Sequence, residues 1–365
     1  CSLHFGNRYG NNCISRPCWN SKTILSHSIA RLFILMIIHR NSIELLLFYY
    51  NHFVDGFVIV NKPAGVTSHD CISRLRKLLN TKKIGHTGTL DPFATGVLVC
   101  GVGQATKCFQ YLPKAIKRYT ATIKFGVGTD TLDSTGEVTK VDEGFKLDAS
   151  KIDFQQFIGD IAQIPPMFSA IKIDGQKMYD LARKGESVEL PPRPVHIYFI
   201  DVLSENSPEN ELEVEIVCSP GTYVRSIARD VAKSLGTVGH LSKLDRAESD
   251  NFNLSNSQEI WLENNPDNRT TDGVEVKLES IADFLVGLPE YVVTEDVASK
   301  LRNGMRIPID SESDSESALF QKDTSVLAVL QKEDSQKECI AICNIELSEE
   351  SCILKPVKGF KEGTI

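Results

Sequence analysis

The sequence predicts a mixed α+β protein, and three observations support this fold class. Residues 119–127 and 212–218 alternate apolar with polar side chains, as half-buried strands do. Residues 224–235 place their apolar side chains at helical spacing. Strands and helices follow one another in no regular β–α–β order, which favours a mixed sheet over a doubly wound parallel one.

Length and charge limit the possible organisation. A chain of 365 residues has room for two or three domains, and 41% hydrophobic with 24% charged residues excludes collagen-like, coiled-coil and wholly disordered proteins. The net charge of −8 is unevenly distributed. Residues 56–125 hold eleven Lys/Arg and two Asp/Glu, whereas residues 251–365 hold eleven and 22. This pattern predicts a polyanion-binding face followed by a separately charged C-terminal module.

Residues 1–55 are interpreted as a leader. The first 50 residues contain five Lys/Arg and one acidic residue, and their apolar runs, 32–38 and 45–50, are shorter than the roughly 20 residues that span a bilayer. An organelle transit peptide, translated non-coding sequence and a signal anchor all remain open. We expect a chloroplast or mitochondrial location if the leader is real, and a cytoplasmic one otherwise. Ten scattered cysteines without CxxC spacing indicate reduced thiols and a reducing compartment.

The elements are expected in the following order. A strand at 57–60 precedes a helix capped by Ser68, a Gly/Thr-rich loop at 85–96 and a strand at 97–102. After the strand at 119–127, Asp148 is expected to cap a second helix that runs to about residue 158, and Pro165-Pro166 marks a loop. The strand at 212–218 and the helix at 224–235 complete a main domain of residues 56–250. Residues 251–285 are expected to form a linker, residues 311–317 a loop, and residues 286–360 a small β-rich domain with strands at 326–330 and 340–345.

The loop at residues 85–96 contains the strongest candidate for a catalytic group. Its glycines allow unusual backbone angles and Pro92 stiffens the exit, so Asp91 would be held rigidly at a loop tip. Asp91 is also the single acidic residue between Cys71 and Thr129. A carboxylate in a positive field should stay ionised and act as a nucleophile or base. An ordinary turn aspartate before proline is the alternative.

Other motifs, present or absent, restrict the possible classes of mechanism and indicate the kind of ligand. The sequence contains no phosphate-binding loop, no dinucleotide fingerprint, no HExxH, no GxSxG and no Cys/His ligand cluster, so metal and acyl-enzyme mechanisms have no support. Basic residues and the aromatic Tyr119 interleave in one region of the chain, which suits RNA, because Lys/Arg neutralise phosphates and an aromatic ring stacks on an unpaired base. They are Arg74, Arg76, Lys77, Lys82, Lys83, Lys114, Lys117 and Arg118. A solvated helix face for the first group, and a core position for Tyr119, are the alternatives.

An ordered set of motifs resembles the TruB family of tRNA pseudouridine synthases over residues 56–250. The motifs are GFVIVNKPAGVTS at 56–68, GHTGTLDPFATG at 85–96, KRY at 117–119, GTDTLDSTG at 128–136, IPPMFSAIK at 164–172 and GTYVRS at 221–226. Residues 286–360 are similar, more weakly, to the small PUA-like C-terminal domain of the family.

The resemblance implies a pseudouridine synthase fold, with a mostly antiparallel central sheet and flanking helices. It implies isomerisation of uridine to pseudouridine at position 55 in the T-loop of tRNA, without metal or organic cofactor. The uracil leaves its C1′–N1 bond, turns in the pocket and is rejoined through C5. The tRNA T-arm is the implied partner, and a monomer the implied state.

The resemblance also implies roles for six residues. Asp91 matches the catalytic aspartate, which attacks the sugar or the base of a flipped-out nucleotide. His86 matches the residue that contacts the substrate where the base leaves its stack, and Tyr119 the tyrosine that stacks on the target base. Tyr223 is expected to contact the base, Arg225 to form an ion pair with Asp91, and Leu244 to make an apolar contact with the base.

Asp245 departs from the family pattern, in which a basic residue directly follows the leucine. An acid near RNA phosphate would weaken binding by about one contact, unless its side chain faces away from the RNA. Two other functions stay open: a guide-dependent ribosomal RNA pseudouridine synthase subunit, and a non-catalytic tRNA-binding or tRNA-folding factor. The segment 128–136 and the absence of a long lysine-rich tail oppose the first, and the intact Asp91 opposes the second.

Overall fold

The computed structural model describes residues 55–112, 116–169, 172–173, 176–177, 190–261, 271, 273–309, 324–331, 337–347, 352–361 and 364. The predicted leader, apart from Asp55, and the predicted loop at 311–317 lie outside this part of the chain. The described residues all belong to one compact unit.

The first half of the described chain alternates strands with few helices. In chain order its elements are β1 (Gly56–Lys62), α1 (Ser68–Leu78), β2 (Ile84–His86), β3 (Thr95–Val102), β4 (Lys117–Phe125), β5 (Val127–Thr129), β6 (Val138–Val141), β7 (Gly159–Gln163), β8 (Lys172–Ile173), β9 (Gln176–Lys177), β10 (Arg193–Asn206) and β11 (Glu211–Cys218).

The second half contains the remaining helices and the C-terminal strands. They are α2 (Val224–Ser234), β12 (Gly239–Ser249), β13 (Phe252–Asn253), α3 (Ile281–Phe284), β14 (Glu290–Val292), α4 (Glu295–Arg302), β15 (Ile307–Ile309), β16 (Ser325–Gln331), β17 (Lys337–Leu347) and β18 (Cys352–Gly359). None of the helices in the described ranges is long and apolar enough to cross a membrane.

The predicted mixed, mostly antiparallel sheet is confirmed. Its strands are ordered β1-β3-β12-β4-β11-β10-β7, with β2 paired to β3 and β13 to β12. The pairing of β12 with β3 is parallel and the other pairings in this sheet are antiparallel. This parallel pair joins the two halves of the sheet, and it places Arg246 opposite Gly96 at the end of the 85–96 loop.

Burial explains the two kinds of strand pattern. Strands β1 and β3 contain the continuous apolar runs 57–60 and 97–100 because both of their faces are covered, one by α1 with Ile260 and Trp261, the other by α3 and the C-terminal sheet. Strands β4 and β11 alternate because α2 covers one face of the sheet there, with Ile227 and Val231 in the core.

The C-terminal strands form a second sheet in the order β14-β16-β17-β18-β15. It contains the strands predicted at 326–330 and 340–345, and it agrees with the expected PUA-like fold. The segment expected to be a linker is, in its described residues, packed along β1. Gln258 exchanges backbone hydrogen bonds with Ile59 and Asn61, and Glu279 does so with Phe57.

Two local predictions were wrong. Thr67, not Ser68, caps α1: its backbone is extended, its side chain accepts from the Asp70 amide, and its own amide donates to the Asp70 carboxylate. The helix expected from Asp148 is instead two separate 3₁₀ turns, 149–151 and 154–157. Asp148 and Asp153 each cap one of these turns, and Ile152 between them is extended.

Candidate active site

The loop that carries Asp91 is anchored from the segment after β1. Lys62 is fully buried at the end of β1, and its Nζ donates to the carbonyls of Val66 at 2.8 Å and Pro92 at 3.3 Å. The Ser68 hydroxyl accepts from the Leu90 amide at 2.8 Å and donates to the Leu90 carbonyl. Both neighbours of Asp91 in the chain are therefore held by buried hydrogen bonds.

A second anchor comes from β12. The Arg246 side chain is 1% exposed, and it donates to the carbonyls of Val97 at 2.7 Å and Gly88 at 3.1 Å. Gly96 lies against the Arg246 backbone so closely that a Cβ would overlap it, and its φ of +104° suits glycine. Lys62 and Arg246 were not predicted as site residues. A charge directly after the apolar run of β1 was a signal for Lys62, whereas the polar sequence of β12 offered none for Arg246.

Asp91 forms the ion pair with Arg225 that the sequence predicted. The guanidinium approaches both carboxylate oxygens, with Nε 2.8 Å from Oδ2 and Nη2 3.0 Å from Oδ1. Arg225 is 5% exposed and lies at the start of α2, while Asp91 keeps 31% of its side-chain exposure. A bidentate pair of this kind fixes the orientation of the carboxylate as well as its charge.

Arg225 is itself held by three further acceptors. It donates to the carbonyls of Thr131 at 2.8 Å and Phe168 at 2.9 Å, and its Nη1 lies 3.5 Å from Asp133 Oδ2. Asp133 is 4% exposed and accepts on Oδ1 from Thr131 and Thr135. The sequence motif 128–136 thus contributes a second buried carboxylate to the site, which sequence reasoning missed.

The Asp91 carboxyl has a pKa above its usual range. Burial is the main cause and the Asp133 charge adds to it, whereas Arg225 and then Lys62 lower the pKa. The expectation that Asp91 stays ionised remains a prediction, which burial opposes and the cations of Arg225 and Lys62 support. Burial lowers the pKa of Lys62 to about 8.

The two predicted tyrosines lie close to the carboxylate. Tyr119 is 8% exposed and belongs to the core beside Leu90 and Leu244, so it is part of the floor of the site. Tyr223 caps α2 and is held through its backbone by the Gln163 side chain, at 2.8 and 3.1 Å. Burial raises the pKa of both phenols, and the nearby Asp91 charge adds to each shift.

His86 and Leu244 lie on other sides of the site. His86 ends β2, and burial together with the Arg246 charge lowers its pKa, so the neutral imidazole is favoured. Leu244 is 7% exposed and lines a cavity of about 320 Å³ together with Phe93 from the Asp91 loop. The structure thus brings Asp91, Arg225, Tyr119 and Tyr223 together, with His86 nearer Arg246 and Leu244 nearer the cavity.

Asp245, the departure from the family pattern, also lines this cavity and accepts a hydrogen bond from the Thr95 hydroxyl. Hydroxyl side chains dominate the rest of the lining; they belong to Thr95, Thr120, Thr122, Ser134 and Ser242. The carboxylate therefore has a partner within the protein and faces the end of the catalytic loop.

Part of the predicted basic cluster has structural roles. Arg74 is buried and donates to the Ile260 carbonyl, and Lys117 is 6% exposed. Arg118 forms ion pairs with Glu215 at 3.0 Å and Glu248 at 3.3 Å. These three cations are engaged by the fold. Within the described ranges, no group of three or more His, Cys, Asp or Glu side chains is arranged to hold a metal ion.

The sheet and the Asp–Arg site define a pseudouridine synthase fold. Solved structures agree: an H/ACA RNP bound to a substrate RNA containing 2′-deoxyuridine contains a chain with a TM-score of 0.56 at 20% identity, covering 84% of this chain and 85% of that one. A chain of a Cbf5-Nop10-Gar1 complex gives 0.55 at 22% identity, covering 84% of each chain. At this level of identity these neighbours show the fold alone.

Sequence comparison shows the family. The model of the TruB family pseudouridylate synthase N-terminal domain matches residues 76–224. The chain is 42% identical over 283 residues to tRNA pseudouridine synthase B of Trichormus variabilis, covering 75% of this chain and 92% of that one. It is 40% identical to the enzyme of the same name from Mycobacteroides abscessus, covering 79% and 95%. The chain belongs to the TruB family of pseudouridine synthases.

Proposed function

We propose that this chain isomerises uridine to pseudouridine in tRNA, with the T-loop uridine at position 55 as the target. The observation that carries the proposal is the Asp91–Arg225 pair, a bidentate ion pair between a buried arginine and a partly exposed carboxylate at the tip of the loop anchored by Lys62 and Ser68. Relatives named tRNA pseudouridine synthase B at 40–42% identity over most of their length support the substrate class.

Asp91 acts as the nucleophile in this proposal. The reaction breaks the C1′–N1 bond and forms a C1′–C5 bond, while C5 loses a proton and N1 gains one, so product and substrate have the same composition. Attack by Asp91 on either the sugar or the base requires its ionised form. Arg225 favours that form against burial, and it orients the oxygen that attacks.

The remaining site residues hold the flipped-out base. Tyr119 and Leu244 supply an apolar surface, Tyr223 presents a phenol beside Asp91, and His86 stands at the other end of the loop. A base that leaves its stack must be received by such a closed and largely apolar pocket. A neutral His86 suits a contact with nucleobases better than an imidazolium would.

A guide-free assay tests the function. Unmodified tRNA transcript is incubated with the protein alone, and pseudouridine is mapped by sequencing after chemical derivatisation. The matched substrate carries cytidine at position 55. We expect one pseudouridine per transcript at position 55 and none in the cytidine transcript. Product that forms only when a guide RNA is added would indicate the guide-dependent relative, and tight binding without product would indicate a folding factor.

Two further proposals concern state and location. We propose a monomer, since Asp91, Arg225 and Asp133 come from one chain, and light scattering at assay concentration tests it.

We propose an organellar location on the basic, acid-poor composition of residues 1–50. Residues 1–55 fused to a fluorescent protein should direct it to a chloroplast or mitochondrion, and a diffuse cytoplasmic signal would contradict this.

A further inference from the structure

A buried ion pair lies behind the catalytic loop. Lys117 begins β4, Asp250 directly follows β12, and Lys117 Nζ lies 2.7 Å from Asp250 Oδ1. The two side chains are 7% and 9% exposed. Charges are buried at this depth when they are paired, and burial still lowers the pKa of Lys117 although Asp250 raises it.

The pair is part of a hydrogen-bonded network that extends to the loop. The Lys117 Nζ donates to the Ser249 hydroxyl at 2.7 Å, and that hydroxyl donates to Asp250 Oδ2 at 3.0 Å. The Thr87 hydroxyl donates to the same oxygen at 2.7 Å. Thr87 directly follows His86 in the loop, and its amide donates to the Val99 carbonyl on β3.

The backbone places Asp250 in a tight turn. Asp250 and Asn251 lie between the paired residues Ser249 of β12 and Phe252 of β13, and their φ values are +56° and +68°. Two-residue hairpin turns of this kind need positive φ at both positions, and Asp and Asn tolerate it. The turn holds the Asp250 carboxylate beside Lys117, Ser249 and Thr87.

We propose that Asp250, held by Lys117, is a positioning residue that fixes the His86 end of the catalytic loop through the Thr87 hydroxyl. The proposal rests on the function proposed above, and it assigns to this end of the loop what Lys62 and Ser68 do for the Asp91 end. Asp250 has no role in the chemistry itself. Its network connects the loop to β4, the strand that carries Tyr119. The network therefore fixes the position of the loop relative to the tyrosine that is expected to stack on the base.

A buried ion pair is weak evidence of a purely stabilising role, since apolar residues of similar size often stabilise a fold as well. This network connects the ion pair to the catalytic loop. Asp250 Oδ2 accepts hydrogen bonds from two hydroxyl groups, and one of them, that of Thr87, belongs to the loop. Loss of the pair should therefore loosen residues 84–90 more than it unfolds the protein.

The test starts from four single variants of the full chain at Asp250 and Thr87. Asp250→Gly removes the carboxylate and suits the positive φ but leaves the buried Lys117 unpaired, so its folding is checked by urea denaturation; Asp250→Asn keeps the shape. Thr87→Val removes the hydroxyl, and Thr87→Ser retains it. Three measurements are made on each: single-turnover rate of pseudouridine formation at saturating tRNA, tRNA Kd at fixed salt, and hydrogen exchange of the peptide spanning residues 84–90.

We expect Asp250→Gly, Asp250→Asn and Thr87→Val to slow turnover about tenfold or more, since a misplacement of order 1 Å can cost ~100-fold. The tRNA Kd of these three variants should stay within about twofold of wild type, and hydrogen exchange of residues 84–90 should rise. Thr87→Ser, which retains the hydroxyl, should react at the wild-type rate. The double variant Thr87→Val/Asp250→Asn should be no slower than the slower single variant, since both interrupt one network.

Lys124 provides the matched control. It pairs with Glu209 and Glu211 at the other end of β4, so Lys124→Gln removes a lysine–carboxylate pair from the same strand without touching the loop. Its rate should equal that of wild type. Unchanged exchange of residues 84–90 in Asp250→Gly, or a wild-type rate in folded Asp250→Gly and Thr87→Val, would overturn the proposal. A wild-type protein that leaves tRNA unmodified would refute the proposed function instead, and exchange would still report on the network.

Discussion

The guanidinium of Arg225 holds both carboxylate oxygens of Asp91, at 2.8 and 3.0 Å, across 134 residues of sequence. Arg225 comes from the first turn of α2, and Asp91 from the loop before β3. The pair thereby ties the helix side of the sheet to the loop. It also sets the charge of Asp91, because Arg225 is the largest influence that lowers the pKa of the carboxyl against burial.

This relationship predicts a pH effect for Arg225→Gln. Loss of the guanidinium removes the charge that lowers the pKa of Asp91, so the pKa rises further above its usual range. Since the ionised form reacts, the acid limb of the single-turnover rate should move to higher pH. Arg229→Gln is the control, because Arg229 lies one turn along α2 and pairs with Asp230. An acid limb at the same pH in Arg225→Gln and wild type would contradict this account of the pKa.

Asp133→Asn should disturb the positioning of Arg225 at the site. The change weakens the acceptor that faces Arg225 and the hydrogen bonds from Thr131 and Thr135, and we expect about 1–2 kcal/mol lower stability. The rate should fall about tenfold as Arg225 loses one of its fixed acceptors. Asp130→Asn, in the same motif but exposed, should have neither effect. Urea denaturation and single-turnover assays measure both, and a wild-type rate in Asp133→Asn would remove Asp133 from the site.

Gly96→Ala should strongly destabilise the junction between the loop and β12. An added Cβ would overlap the Arg246 backbone, and the φ of +104° adds strain, so we expect a loss of about 4 kcal/mol or more. Gly236→Ala is the control: its φ is +76°, but no atom lies within 4 Å of the added Cβ. It should cost about 1 kcal/mol. Equal losses for the two variants, measured by urea denaturation, would show that Gly96 is required for its φ alone.

Deleting residues 1–52 should leave activity on tRNA intact, because the compact unit that contains the site begins at residue 53. Within this truncated protein, Asp55→Ala should lower stability by about 1 kcal/mol, since Asp55 accepts from the Gln104 amide at 2.7 Å. Melting temperature and single-turnover yield are the measurements. A truncated protein that is folded but inactive would place part of the leader in the enzyme.

Sequence reasoning performed best where the pattern is local. The alternation in β4 and β11, the helical spacing in α2 and the motif around Asp91 each reflect one face of one element. The prediction failed where a local signal is compatible with two structures, such as a helix or a single 3₁₀ turn. Asp148 is a good cap, but a second cap at Asp153 and the extended Ile152 divide the segment into two turns.

The rest of the site depends on contacts between distant segments. Asp133 in its motif resembles any turn aspartate, and only the fold brings it beside Arg225. Lys117 and Arg118 resembled RNA-binding residues because their carboxylate partners lie more than 90 residues away, as Asp250, Glu215 and Glu248. The expected linker was polar enough to suggest exposure, yet Ile260 and Trp261 are buried in the core beside α1.

In the proposed mechanism Asp91 performs the chemistry while the surrounding cleft binds the tRNA. Asp91→Asn keeps the shape of the side chain and removes its charge and its nucleophile. The cleft becomes more positive by one unit, and binding to phosphates is mainly electrostatic, so affinity should hold or rise slightly. Deletion of the carboxylate should abolish the reaction whichever carbon it attacks.

The most direct measurement pairs tRNA affinity at fixed salt with single-turnover pseudouridine yield for Asp91→Asn and wild type. We predict a Kd within about twofold of wild type or slightly tighter, and a yield at background. Substantial yield from Asp91→Asn would remove Asp91 from the mechanism. Loss of binding together with loss of yield would instead show that Asp91 mainly organises the loop at residues 85–96.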